Sequence, residues 1–123
     1  MQSKLDEALV KDFPDLYKDR NASMQTTCMC WGFECGDGWE PLIRDLSKKL
    51  TELAKMEKID VYVVQVKEKF GTLHFYVNNS TDIMDDVISY AENRSAFICE
   101  LCGKDGSLND GPWFETRCEE HTR

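Results

Sequence analysis

The chain has 123 residues, 41% of them hydrophobic and 11% aromatic, which suits one compact core and is too apolar for a disordered segment. Its 15 Lys and Arg stand against 23 Asp and Glu, giving a net charge of −8. That balance excludes general affinity for a phosphate backbone and leaves a local basic strip, or a basic partner surface, as the charge-compatible modes of binding.

The acids are scattered rather than arrayed, as ordinary solubility requires. Met1 to Glu7 run straight into a charged amphipathic segment with no export signal, and no apolar run reaches membrane-spanning length. The six cysteines are even in number, as in a disulfide framework. Metal-type spacing, high charge and a core that needs no staples point instead to reduced thiols and a cytoplasmic protein.

Taken in chain order, residues 3 to about 19 are predicted helical, with Ser3 as cap and Leu5, Ala8, Leu9 and Phe13 at helical spacing. Pro14 interrupts this segment before a further turn carrying Leu16 and Tyr17. Residues 20–36 show no period and are expected to form a loop. Cys28, Cys30, Trp31, Phe33 and Cys35 make it too apolar for a solvated linker, so it should pack onto the body.

The strongest helical pattern runs from Trp39 to Lys58, with Trp39, Leu42, Ile43, Leu46, Leu50, Leu53 and Ala54 on one face. Asp37 is the expected N-cap, and Pro41 is tolerated in a first turn. Asp60–Lys67 is β-branched and reads as a strand, Glu68–Gly71 as a turn, and Thr72–Val77 as the return strand of a hairpin. Alternation places Leu73, Phe75 and Val77 on one face and Thr72, His74 and Tyr76 on the other. A third helix is expected from Asp82 to Phe97, capped by Ser80 or Thr81, with Met84, Val87, Ile88, Ala91, Ser95 and Ile98 as its inner stripe. A lone hairpin is marginal in water, so the amphipathic helices should cover it. The expected fold is α+β: helices on a small antiparallel sheet spanning residues 1–98, with a metal-binding element at 99–123 packed on that body.

That element reads Cys99-Glu-Leu-Cys102-Gly103 and, fifteen residues after Gly103, Cys118-Glu-Glu-His121. Two residues separate the members of each pair, so one tight turn can bring both donors to a single ion. Three thiolates and an imidazole complete a tetrahedral Zn²⁺ shell. Gly103 supplies the positive φ that the turn needs. A knuckle, a hairpin or loop over 104–117 and a terminal helical turn resemble a treble-clef zinc finger. Four protein ligands leave no open position for water, and no HExxH pairing supplies a base, so the zinc is expected to be structural.

The remaining candidate chemistry is sparse. Cys28, Cys30 and Cys35 form CxC and Cx4C spacings that admit a second metal site with His74, or simply small buried hydrophobes. Glu34, Asp37 and Glu40 read as a helix-start cluster rather than acid–base machinery. Lys67, Lys69 and Phe70 make a basic-aromatic patch at the hairpin tip, which with His74 and Tyr76 reads either as a strand clamp or as a charged sheet edge. Trp31, Trp39 and Trp113 have the bulk of interface anchors; Trp39 lies on an apolar stripe and belongs in the core, whereas Trp113 follows Gly111-Pro112 and should be exposed.

Phe33-Glu-Cys-Gly-Asp-Gly-Trp39, Val66-Lys-Glu-Lys-Phe-Gly-Thr-Leu-His-Phe-Tyr-Val77, and Cys99-x-x-Cys-Gly with Trp113 and Cys118-x-x-His121 together resemble a family of small uncharacterised proteins of bacteriophages and prophages. The resemblance spans about residues 31–121. It departs at His74, where a basic residue is common, and at Cys28 and Cys30. It implies phage origin, a host-cell cytoplasm and an accessory role. The expected function is non-enzymatic binding and inhibition of a host or anti-phage defence protein. A nucleic-acid-binding regulator and a metal-dependent hydrolase are the alternatives.

Overall fold

The structure, a computed structural model, describes residues 1–23 and 27–122. Helix α1 spans Ser3–Asp12 and stops earlier than its apolar spacing predicts. The residue before a proline is driven out of the helical region, and Phe13, which precedes Pro14, adopts φ −130° and ψ 62°. Ser3 is not the cap. Gln2 takes that place without a side-chain capping bond, and its backbone and side-chain amides donate instead to the Asp37 carboxylate at 2.8 and 3.0 Å. Asp37 is thereby occupied across the fold and does not cap the next helix.

The expected loop before that helix holds more order than its composition shows. Short 3₁₀ turns cover Lys18–Asn21 and Cys28–Trp31, and a strand β1, Phe33–Glu34, follows. Asp6, buried on α1, gathers this stretch: Arg20 Nε donates to its carboxylate at 3.0 Å and the Phe33 amide at 3.3 Å. Arg20 Nη1 also donates to the Cys30 carbonyl at 2.9 Å. A buried acid is tolerated here because it is paired and hydrogen-bonded.

A 3₁₀ turn over Asp37–Trp39 leads into α2, Glu40–Glu57, with Pro41 in its first turn and Lys58 in the left-handed conformation just beyond its end. Ile43, Leu46 and Leu50 are fully covered, Trp39 with them, and Leu42, Leu53 and Ala54 flank the core as the apolar stripe requires. Tyr17 closes that core through a 2.6 Å hydrogen bond to Ser47. Burial drives its phenol pKa well above the ordinary value.

Strands β2, Tyr62–Lys69, and β3, Thr72–Asn78, form the predicted hairpin, with β2 beginning and ending two residues later than expected and β3 one residue longer. The turn shrinks to Phe70 and Gly71, both at positive φ (53° and 87°), the conformation that matches the twist of a two-residue hairpin. Leu73 and Phe75 face the core, and Tyr76 faces solvent. The sheet is not purely antiparallel. β1 pairs with β2 in parallel, Phe33 opposite Val66, to give the mixed order β1-β2-β3.

Helix α3, Asp82–Ser95, ends two residues before the expected Phe97 and is capped by Thr81, whose hydroxyl accepts the Met84 amide. It covers the free edge of β3. Ser95 Oγ accepts the Leu73 amide at 2.8 Å and Glu92 Oε2 accepts the Phe75 amide at 2.9 Å, so these edge donors are satisfied. A second, two-stranded sheet pairs β4, Ser107–Asp110, with β5, Phe114–Arg117. The fold is α+β. Among the described residues no helix is long and apolar enough to cross a membrane.

Candidate metal centre

The backbone after α3 folds back on itself as a knuckle. The Gly103 amide donates to the Cys99 carbonyl at 2.9 Å, the Cys99 amide to Lys104 at 2.8 Å, and Gly103 has φ 82°. Beyond the β4–β5 hairpin, a 3₁₀ turn over Glu119–His121 brings the His121 ring back to Cys118. One donor atom from each of Cys99, Cys102, Cys118 and His121 lies within 4.8 Å of the other three.

These separations test the fit to an ion. With metal–sulfur bonds of about 2.3 Å, a tetrahedral shell has sulfur–sulfur edges of about 3.8 Å. Cys102 Sγ is 3.6 Å from Cys118 Sγ, and Cys99 Sγ is 3.7 Å from His121 Nδ1. The Cys118 Sγ to His121 Nδ1 distance, 3.1 Å, is tighter. Cys99 and Cys118 are buried and Cys102 is exposed, so the cluster sits at the surface with its inner half covered. Burial pushes the Cys99 thiol up, but hydrogen bonds from the backbone amides of Cys118, Cys102 and Leu101 outweigh it and hold the pKa at about 6. The Lys104 amide lowers the Cys102 thiol, yet lost solvent and the neighbouring Cys118 and Cys99 leave it raised. Cys99 is thus ionised more readily than Cys102, and an ion that bound there would draw the proton from the Cys102 thiol.

The Phe33–Trp39 motif is the seat for this knuckle. The Gly38 amide donates to the Glu100 carbonyl at 2.7 Å, and the Gly36 amide to Glu100 Oε2 at 2.8 Å. Trp39 Nε1 donates to the Ile98 carbonyl at 2.9 Å. A β-carbon on Gly38 would stand 2.1 Å from the Cys99 carbonyl oxygen, so only glycine admits so close a backbone. Glu100, which the two-residue spacing of Cys99 and Cys102 leaves without a role, also meets Arg117 at 3.3 Å. On the far side Thr116, fully buried, donates to the Gly71 carbonyl at 2.7 Å, locking β5 to the β2–β3 turn.

The other candidate residues separate into two places. Lys67 lies opposite His74 across the hairpin; His74 stacks on Tyr76 with ring centres 6.2 Å apart, and Lys67 Nζ is 6.0 Å from the Tyr76 ring. Phe70 instead turns to Phe114, edge to face at 6.3 Å, and with Trp113 lines a groove of about 720 Å³. Lys69 Nζ lies 5.7 Å from the Phe70 ring. The tip is therefore not one basic-aromatic patch. Cys28 is exposed, Cys35 is buried, and His74 faces Tyr76; among the described residues no second group of three metal-ligating side chains comes together.

The chain matches no protein-family model, no curated protein and no solved structure.

Proposed function

We propose that this chain is a non-enzymatic, zinc-stabilised binding protein that engages and inhibits another protein. The phage-like motifs point to a host or anti-phage defence protein in the host cytoplasm as the target. The observation that carries the reading is the four-donor cluster at the two ends of the segment that carries the exposed rings of Trp113 and Phe114. Three thiolates and one imidazole favour Zn²⁺ over harder divalent ions. A shell filled by protein leaves the ion no vacant position for a reactant, which favours a structural role over a metal-dependent hydrolase. The ion would hold the last quarter of the chain, whose apolar area is small, and so present Trp113 and Phe114. Affinity capture from bacterial host lysate, with the Cys118→Ser variant as control, tests it. A specific protein retained only by the metal-loaded form is expected, and no protein above background would contradict it.

A second reading rests on the Lys67–His74–Tyr76 cluster, whose cation and stacked rings suit the face of a single nucleic-acid strand. The overall charge of −8 opposes it. Binding of a single-stranded oligonucleotide that weakens steeply with salt would support it, and no retention at low salt would end it.

A further inference from the structure

We propose that the groove between the β2–β3 turn and the β4–β5 hairpin is a docking site for an arginine side chain presented by a partner protein. The inference rests on the protein-binding reading above and names the chemistry of the partner.

Apolar rings and carboxylates line the same hollow. Phe70 and Trp113 are each 68% exposed and Phe114 48%, so their faces are open to a ligand. Phe70 holds that position in a left-handed backbone conformation at φ 53°, which is unfavourable for a bulky side chain. Around the rings stand Glu68, Glu100 and Glu115 against one guanidinium, Arg117. Arg117 bridges Glu100 at 3.3 Å and Glu115 at 3.5 Å, and these three side chains are nearly covered. Three carboxylates facing one cation leave the lining net negative, and the whole chain is acidic.

An aromatic face attracts a cation, and arginine adds planar stacking to charge. The groove already shows this chemistry within the chain, since exposed Lys69 approaches the Phe70 ring at 5.7 Å. Whereas Arg117 is held by Glu100 and Glu115, Lys69 lies against the Phe70 ring, and a guest guanidinium must displace it or share that ring with it. An anionic guest would meet the net negative lining and be repelled; a purely apolar guest would gain nothing from that charge.

Titration of the ¹⁵N-labelled, zinc-loaded protein with a blocked Gly-Gly-Arg-Gly-Gly peptide, observed at the Trp113 indole resonance, tests the assignment. Saturable shifts at Trp113 are expected, with none from the matched norleucine peptide. Trp113→Ala should weaken binding by roughly tenfold, the scale of one lost cation–ring contact. Glu68→Gln, which can still accept the Gly71 amide, should weaken it by about threefold, and Lys69→Ala should strengthen it by a similar factor. Equal shifts from both peptides, an opposite effect of Lys69→Ala, shifts caused by a short oligonucleotide instead, or shifts from raised protein concentration alone would each overturn it. A lysate partner captured equally by wild type and Trp113→Ala would leave the binding-protein reading standing and remove the groove from it. An arginine peptide seated on Trp113 with no lysate partner would do the reverse.

Discussion

Gly38 carries the contact on which the tail depends. An added methyl would meet backbone oxygen at 2.1 Å, and neither the knuckle nor the start of α2 can yield cheaply. Gly38→Ala is expected to cost about 1–3 kcal/mol, the range for overpacking a tight site. Gly111→Ala, whose methyl would meet only Asn109 Oδ1 at 3.4 Å, should stay within about 0.5 kcal/mol. Urea denaturation of the two variants checks the contrast. Cys35 gives a second prediction at this scale. Burial pushes its thiol from 9.0 to about 12, helped by the nearby Glu100, Asp37 and Glu68 charges and opposed by the N-terminal amine. The folded state therefore favours the protonated thiol, so its contribution is complete below pH 9 and is lost as pH rises towards 12. Between these limits wild type should lose about 1.4 kcal/mol per pH unit more than Cys35→Ser, measured as the difference in unfolding free energy.

Each element shows what local pattern can and cannot announce. α2 was legible because its apolar positions fall on one stripe, and the hairpin because its residues alternate. β1 was not legible: two residues carry no period, and only the parallel neighbour β2 defines them as a strand. The capping role expected of Asp37 failed because a carboxylate before a helix has competitors, and Gln2 won it. The four clustered donors were readable from spacing alone, whereas the glycine seat beneath them and the bond from the Gly36 amide to Glu100 were not, since both join segments more than sixty residues apart. The edge of β3 belongs to the same class. Its donors are closed by Ser95 and Glu92 from a different element. Ser95→Ala should leave the Leu73 amide buried without a partner and cost about 1–3 kcal/mol, with faster amide exchange at Leu73 by NMR.

At the scale of the molecule, the tail is part of the fold rather than an appendage. Its backbone closes onto the Gly36–Trp39 segment on one side, and the Thr116 hydroxyl ties it to the β2–β3 turn on the other. The aromatic groove takes Phe70 from the body and Trp113 and Phe114 from the hairpin that lies between the two donor pairs. Loss of the ion should therefore open the groove and destabilise the body together, because the free energy of ligation is also free energy of folding. This coupling makes the metal the point on which the functional account turns. Elemental analysis of the natively purified protein measures it: one zinc per folded chain, reduced to none in Cys118→Ser, is the expected result. A folded wild-type chain that carries no metal would contradict it.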